Sequence, residues 1–197
     1  MSHHVIVEAS KCLQHALWLG LKEDPDTAQK VTAKANIVLS NPAQQVDPTV
    51  VRQLSLWLYQ VMPNEYLRNA PMVRTGSGGD DTVEFYPPLA VNLQYLLTPS
   101  TGSDMGDQLV LGRSLQIFND QSILYMPSTQ SDERAEELHL SFAPRTIEEL
   151  AKVWEAMQQP YRLSVCYEVR VVRIASLRRQ VGGRVADRSA DFRGKAA

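Results

Sequence analysis

Few side chains in this sequence have the type and spacing that catalysis or metal binding requires. Ser114 follows a glycine but lacks the second glycine of a nucleophile elbow. The glycine-rich run 76–79 lacks the lysine of a P-loop and precedes Asp80 and Asp81, which would repel phosphate. None of the four histidines belongs to a zinc-ligand motif: His3, His4, His15 and His139. The sequence therefore predicts no catalytic residue, no metal site and no cofactor.

Three pairs of adjacent carboxylates, Asp80/Asp81, Glu136/Glu137 and Glu148/Glu149, are interpreted as surface charges. The third pair has a structural explanation, because Thr146 and Glu149 have the spacing of a capping box that opens a helix. One alternative stays open. A small hydrolase or ligand-binding domain would need a pocket that gathers His139, Ser114 or the Asp80/Asp81 pair.

The composition is that of an ordinary globular protein. The chain has 197 residues, of which 44% are hydrophobic and 21% charged, with two cysteines and a net charge of −2. We expect a single domain with reduced cysteines, made in the cytoplasm, because neither a secretory signal nor a run of about 18 apolar residues is visible.

The charge is concentrated at the C-terminus. Residues 176–197 hold six basic and two acidic side chains, so this segment carries +4 and the rest of the chain −6. We predict a domain over residues 1–175 and a basic tail over 176–197. The tail either stays solvated, binds nucleic acid as in an adaptor protein, or orders against the acidic body of a neighbouring subunit; the last is preferred.

Apolar periodicity predicts helices and strands that must position any site. Helical spacing marks residues 5–21, 107–119 and the segment after Thr146, and two-residue alternation marks 53–62, 89–97, 137–142 and 163–171. A short strand is expected over 35–39, and a bulge or sheet edge near Val172. The strand 89–97 is expected to be half-buried. The order of elements predicts an α+β fold with a mixed, largely antiparallel sheet flanked by helices.

In the strand 53–62, both faces carry large apolar side chains. Leu54, Leu56, Leu58 and Met62 are expected on one face, with Trp57, Tyr59 and Val61 on the other. This pattern indicates either a central strand or an aromatic second face that meets a partner.

Three segments in order resemble one family. These are LWLYQVMPNEYLRNAP (56–71), PPLAVNLQYLLTPS with LVLGRSLQIFND (87–100 and 109–120), and LAKVWEAMQQPYRLSVCYEVRVVRI (150–174). Together they are similar to the tail-terminator, or tube-cap, proteins of extracellular contractile injection systems of the antifeeding-prophage and Photorhabdus virulence cassette type. Because core packing alone explains the apolar positions, the resemblance rests on the turns, such as Pro63-Asn64, Arg68-Asn69, Pro87-Pro88, Gly112 and 160–162.

The resemblance implies a phage tail-terminator-like fold and a structural, non-enzymatic role. Such a protein forms a hexameric ring that closes the distal end of the inner tube and engages the last sheath layer. Its partners would be further copies of itself, the inner-tube protein and the sheath protein, with no nucleic acid or small-molecule substrate. It would be assembled in the cytoplasm into a phage tail-like particle that is either released or membrane-anchored. The expected interface residues are Trp57, Tyr59, Tyr66, Arg68, Asn69, Arg178, Arg179 and Arg184.

Overall fold

A computed structural model describes residues 4–44, 51–67, 71–75, 83–126 and 136–181. This part of the chain holds four α-helices: α1 (Val5–Glu23), α2 (Pro25–Ala28), α3 (Asp104–Asp120) and α4 (Ile147–Ala156). It also holds nine strands: β1 (Ile37–Val38), β2 (Leu54–Pro63), β3 (Val73–Thr75), β4 (Val83–Phe85), β5 (Leu89–Pro99), β6 (Ile123–Met126), β7 (Glu136–Phe142), β8 (Val165–Ile174) and β9 (Arg179–Val181). Two short 3-10 turns cover Lys34–Asn36 and Glu65–Leu67.

The larger sheet has six strands in the order β1-β2-β5-β8-β7-β6. Its first pair is parallel and the other pairs are antiparallel, which confirms the predicted mixed, largely antiparallel sheet of an α+β fold. The long strands β5 and β8 lie at its centre, where both of their edges are hydrogen-bonded. A separate sheet of three short antiparallel strands has the order β3-β4-β9.

Helices α1 and α3 cover one face of the six-stranded sheet. Their apolar stripes join the inward side chains of the sheet in the main core, which includes Leu13 and Leu17 of α1 and Val110 and Phe118 of α3. The two helices approach closely at Gly20, where a Cβ atom would lie 2.5 Å from Cγ1 of Ile117. The helices predicted over 5–21 and 107–119 are therefore confirmed as α1 and α3, each with a few more residues than expected.

Helix α4 covers part of the opposite face. It begins with the predicted capping box, in which Thr146 accepts from the amide of Glu149 and Glu149 accepts from the amide of Thr146. Its apolar stripe buries Leu150 and Trp154 against Leu96 and Cys166, forming a second, smaller core. The buried indole nitrogen of Trp154 donates to the hydroxyl of Ser164 at 3.0 Å, so its polar atom is paired.

The prediction that strand 89–97 is half-buried is wrong. Because helices lie on both faces of the sheet, β5 is buried on both: Leu93 and Leu97 face the main core, and Leu96 faces α4. The exception is Leu89, which lies at the beginning of the strand and is 57% exposed.

Other sequence expectations are modified. In β2 the register shifts between Leu58 and Gln60, so the alternation expected over 53–62 changes phase and Met62 is exposed. Residues 35–39 form mainly a 3-10 turn followed by the two-residue β1. The predicted irregularity near Val172 is confirmed, since β5 advances two residues from Val91 to Leu93 while β8 advances three.

Candidate assembly interface

Trp57 and Tyr59 lie side by side on the α4 face of β2. Their ring centroids are 6.1 Å apart, and both side chains are half-buried against the smaller core. Burial raises the pKa of the Tyr59 hydroxyl to about 12, and the neighbouring Cys166 thiol adds to that rise. Much of the aromatic second face of β2 is thus covered by the chain's own helix α4, and only the outer parts of these rings are free for a partner.

Tyr66 is placed differently, because its side chain is 95% exposed. It lies in the 3-10 turn Glu65–Leu67, directly after β2. The buried Asn64 fixes this turn: its side-chain oxygen accepts from the amide of Tyr66 at 3.1 Å and from that of Leu67 at 3.2 Å. Tyr66 is therefore an aromatic side chain held out from the surface on an ordered backbone. Arg68 and Asn69, predicted beside it, lie outside the described residues.

The start of the predicted tail is attached to the body. The guanidinium carbon of Arg178 lies 4.5 Å from the centre of the Tyr86 ring, a cation–π contact, and the Arg178 carbonyl accepts from the Tyr86 amide. Arg179 then begins β9 and pairs with Phe85. The side chain of Arg179 and all of Arg184 are outside the described part of the chain. The interface assignment of these arginines stays a prediction.

The expected interface residues do not form one patch. Trp57 and Tyr59 lie beneath α4, whereas Tyr66 follows the far end of the same strand. The nine residues from Trp57 to Tyr66 include a strand segment that spans about 20 Å. At the same end of the sheet as Tyr66, a cleft of about 480 Å³ is lined by Pro63, Leu67, Leu89, Ile174 and other residues. Leu177, just beyond it, is 98% exposed. We call this surface the apolar end; it is formed by Tyr66, Leu67, Leu89, Ile174 and Leu177.

The sequence did not reveal a polar network beside α4. Glu168 of β8 accepts from the side-chain amide of Gln94 at 2.8 Å and from that of Asn92 at 3.3 Å. It also accepts from Arg170 on its own strand. Asn64 donates to Asn92 at 3.0 Å, so the network reaches the turn that holds Tyr66. The signal available in the sequence was the polar pair Asn92 and Gln94 at alternate positions of one strand. That pattern, however, predicts side chains in contact with solvent.

A second cleft opens on the opposite face, at the C-terminal end of α3. It measures about 520 Å³ and is lined by uncharged side chains, among them Leu115, Phe118, Asn119, Leu140, Phe142 and Tyr167. The Tyr167 ring contacts those of Phe118 and Phe142 edge to face, with centroids 4.9 Å and 5.7 Å apart. We call it the aromatic cleft. Sequence periodicity missed it: the alternation over 137–142 places Phe142 on the same face as Leu138 and Leu140 but does not show that Phe142 is 52% exposed.

The residues considered for hydrolysis are not brought together. Ser114 is fully buried in the helix layer, and its hydroxyl donates to the carbonyl of Val110. His139 alternates with the core residues Leu138 and Leu140, so it lies on the other face of the sheet, near Glu137. Asp80 and Asp81 are outside the described residues. A pocket built from Ser114 and His139 is therefore ruled out by geometry.

Neither a metal-binding cluster nor a membrane-spanning helix occurs among the residues that the structure describes. Among them, no three His, Cys, Asp or Glu side chains are grouped closely enough to hold a metal ion. Nor does any helix in those ranges combine the length and apolarity needed to cross a membrane.

Comparison with known proteins identifies the family of this chain. Residues 8–187 match the model of the Pvc16 N-terminal domain family, which is most of the chain. This chain therefore belongs to the Pvc16 N-terminal domain family. No curated protein matches it significantly.

Two solved structures are similar to this chain, and the first of them shares its fold. One is the sheath/tube terminator of PVC, an extracellular contractile injection system, in its extended state: the TM-score is 0.63 at 17% identity, over 97% of this chain and 64% of the terminator. Another is the tube-terminating cap of the anti-feeding prophage, with a TM-score of 0.47 and 21% identity over 84% of this chain and 59% of the cap. This chain thus spans less than two thirds of the length of either protein.

Proposed function

We propose that this protein is a structural cap of a contractile injection system that closes the distal end of the inner tube and engages the last sheath layer. The observation that carries the proposal is the match of residues 8–187 to the Pvc16 N-terminal domain family. The shared fold with a sheath/tube terminator over 97% of the chain supports it. In this role the protein acts by binding and not by catalysis.

The cap is proposed to be a homo-oligomeric ring, hexameric by resemblance to terminators of this kind. A ring uses two different patches on each copy, because a head-to-tail contact must repeat until it closes. Exposed aromatic and arginine side chains suit such contacts, since they contribute a large share of binding energy at interfaces. The proposed interface residues are those of the sequence prediction: Trp57, Tyr59, Tyr66, Arg68, Asn69, Arg178, Arg179 and Arg184.

The basic segment 176–197 is proposed to be an arm that contacts a neighbouring subunit. Its charge of +4 is opposite to the −6 of the preceding residues, so attraction between copies is expected at low ionic strength. The pairing of β9 with β4 supports an arm that starts from a fixed point on the domain. The tail would then be continuous with the domain 1–175 up to Val181.

The other proposed partners are the inner-tube protein and the sheath protein, and no nucleic acid or small molecule is involved. The particle would be assembled in the cytoplasm. A competing adaptor role for the basic tail predicts DNA binding that weakens steeply with salt. We expect fluorescence-anisotropy titrations to detect no such binding at physiological salt.

Electron microscopy of particles assembled with and without this protein tests the proposal. Without it we expect tubes and sheaths of irregular length with open distal ends, because elongation is not stopped. Restoring the wild-type gene should restore uniform length. As a matched control, the surface variant Glu155→Ala should restore it equally well. Particles of normal, uniform length with a normal end in the absence of the protein would overturn the proposed function.

A further inference from the structure

The three-stranded sheet β3-β4-β9, which we call the small sheet, continues the central strands of the larger sheet beyond one end. Pro63 ends β2, Leu89 begins β5 and Ile174 ends β8, and the strand register places these three ends side by side. Strand β3 follows β2, β4 precedes β5 and β9 follows β8, so the small sheet repeats the strand order of the larger one. The chain crosses between the two sheets in three linkers: 64–72, 86–88 and 175–178.

The middle linker explains why the sheet is interrupted. It contains Pro87 and Pro88, which have no amide proton and therefore cannot donate to a neighbouring strand. Strand pairing ends on one side of the prolines with Phe85 and resumes on the other side with Leu89, and neither proline takes part in it. The two prolines thus divide one long strand into β4 and β5.

The small sheet has little packing with the rest of the domain. Its strands pack against one another, and among the described residues none of them makes more than a marginal contact with a helix or strand of the larger sheet. Phe85, the last residue of β4, is 37% exposed and belongs to neither hydrophobic core. Segments with few buried apolar contacts are the ones that move relative to the remainder of a fold. The linkers are therefore the main attachment of the small sheet.

An open cleft lies where the linkers cross. It is the cleft of about 480 Å³ at the apolar end, and all three linkers contribute to its lining: Asn64, Leu67, Pro87, Pro88, Ala175 and Ser176. In a close-packed interior, side chains would have to be displaced before one sheet could bend towards the other. The unfilled cleft leaves room for such a rotation.

Tyr86 and Arg178 couple two of the linkers. The amide of Tyr86 donates to the carbonyl of Arg178 at 3.2 Å, and the guanidinium carbon of Arg178 lies 4.5 Å from the centre of the Tyr86 ring. Both residues lie on the small-sheet side of the two prolines. They fix β4 and β9 to each other without fixing either strand to the larger sheet, so the small sheet is expected to move as a unit.

We propose that the three linkers form a hinge, about which the small sheet changes its orientation relative to the larger sheet. Hinges are commonly a few residues at the ends of elements, as here. Because a proline ring fixes φ, the rotation falls on the other backbone dihedrals of the linkers. The hinge does not depend on the proposed function. In the proposed cap, it would let the small sheet follow one partner while the larger sheet stays bound to another.

Distances between two spin labels, measured by pulsed electron paramagnetic resonance in frozen solution, test the hinge. One label is placed on the small sheet with Phe85→Cys and the other on α3 with Asn119→Cys. The matched control pair, Asn119→Cys/Glu155→Cys, joins exposed positions of α3 and α4, which both pack on the larger sheet. All variants carry Cys12→Ser and Cys166→Ala, so that only the introduced thiols are labelled. We expect the first distance distribution to be at least about twice as wide as that of the control.

A second labelled pair repeats the measurement from the other edge of the small sheet. Met72 is 41% exposed and directly precedes β3, so Met72→Cys/Asn119→Cys should give a similarly wide distribution. This pair leaves Phe85 in place, and it decides the result even where Phe85→Cys disturbs the small sheet.

Substitutions in the linkers test which residues form the hinge. Pro87→Val/Pro88→Val restores two amide donors to the middle linker, so strand pairing can continue and the distribution should narrow towards that of the control pair. Tyr86→Leu removes the ring that contacts Arg178 and should widen the distribution. Tyr86→Phe keeps the ring and should leave the width unchanged.

Two results would refute the hinge. One is a distribution for both small-sheet pairs that is as narrow as that of the control pair. The other is a Pro87→Val/Pro88→Val variant whose distribution stays as wide as that of the unsubstituted linker. Equal widths for Tyr86→Leu and Tyr86→Phe would contradict the coupling of the linkers through Arg178. The capping proposal is decided separately by particle length, so it survives any of these results.

Discussion

At the scale of single residues, Glu168 links several side chains on the α4 face of the sheet. Its carboxylate accepts hydrogen bonds from side chains on the neighbouring strand and on its own strand, and its side chain is only 14% exposed. A charge in such a position is tolerated because it is hydrogen-bonded several times. The network also extends through Asn92 to Asn64, and so to the turn that carries Tyr66.

Glu168→Ala is expected to lower the free energy of unfolding by about 1–3 kcal/mol, because it removes the acceptor of the buried Gln94 amide. Glu168→Gln keeps one acceptor oxygen and should cost less. Urea denaturation of both variants measures the difference. Glu155→Ala, on the exposed side of α4, is the control and should change stability by less than about 0.5 kcal/mol. Equal losses for Glu168→Ala and Glu155→Ala would contradict a structural role for the network.

Because the hydroxyl of Tyr95 is buried, we expect the free energy of unfolding to decrease in alkali. Its hydroxyl lies in the main core, 2.7 Å from that of Ser10, and burial raises its pKa to about 12 from an ordinary value of 10.0. Between pH 10 and 12 the unfolded chain therefore loses this proton while the folded protein keeps it. The stabilisation is complete below pH 10 and is lost as the pH rises towards 12.

Tyr95→Phe should flatten this pH dependence. The variant loses a hydrogen bond at neutral pH, about 1 kcal/mol, but its free energy of unfolding should fall less than that of the wild type between pH 9 and 11. Urea denaturation at several pH values measures both effects. Tyr161→Phe serves as the control and should show the wild-type slope, since that ring is exposed in the folded protein. An unchanged slope in Tyr95→Phe would refute the assignment.

At the scale of elements, two glycines on the helix layer have opposite environments. Gly20 of α1 is buried, and a Cβ atom there would lie 2.5 Å and 2.6 Å from two carbons of Ile117 on α3. Gly112 of α3 is exposed, and a Cβ atom there would meet nothing within 4 Å. Gly20 therefore sets the distance between two helices, whereas Gly112 only lowers helix propensity.

Gly20→Ala should lower the free energy of unfolding by about 1–3 kcal/mol, because the helices must separate or Ile117 must leave its rotamer. Gly112→Ala is the matched control and should raise it by up to about 1 kcal/mol. Thermal or urea denaturation compares them. The double variant Gly20→Ala/Ile117→Ala should lose less than the sum of its single variants. Simple additivity would show that the two side chains do not interact.

The sequence predicted helices and strands more reliably than it predicted which of them pack against each other. The stripe of α1, the capping box of α4 and the irregularity of β8 are local patterns, so they could be located from the sequence. The short strand β6 was missed because four residues provide too few alternations to recognise. The burial of β5 on both faces was missed because period two does not say which element covers the second face.

The same limit applies to the candidate site. Trp57 and Tyr59 were correctly placed on a second face of β2, but the sequence could not show that α4 covers much of it. Asn92 and Gln94 were expected in solvent, and their partner Glu168 lies more than 70 residues away in the chain. The aromatic cleft joins residues from α3, β7 and β8, so only the register between those elements could reveal it.

At the scale of the whole molecule, basic charge is concentrated towards the C-terminus. The segment beyond Val181 adds four basic and two acidic residues. Contacts between copies that this segment makes should therefore weaken as the salt concentration rises.

A chain shortened after Val181 should unfold with nearly the same free energy as the full chain, within about 0.5 kcal/mol, because the helices and strands of the described domain remain. Its self-association should be weaker than that of the full chain at low salt and equal to it at high salt. Light scattering at two salt concentrations measures this. Replacing the four basic residues of this segment by glutamine should reproduce the effect. Equal association of all three chains at low salt would argue against the proposed arm.

The order of strands in the larger sheet also has a consequence during synthesis. Strand β5 pairs with β8, and the partners Leu97 and Val165 are 68 residues apart while Val91 and Val172 are 81 apart, so much of the chain must be made before the centre of the sheet can close. Pairing between such distant segments slows folding. Until β8 leaves the ribosome, the nascent chain presents β5 with one unpaired edge and an apolar surface, which favours association between unfinished chains. Rapid production of many copies of this chain in one cell would therefore benefit from a chaperone that shields this strand.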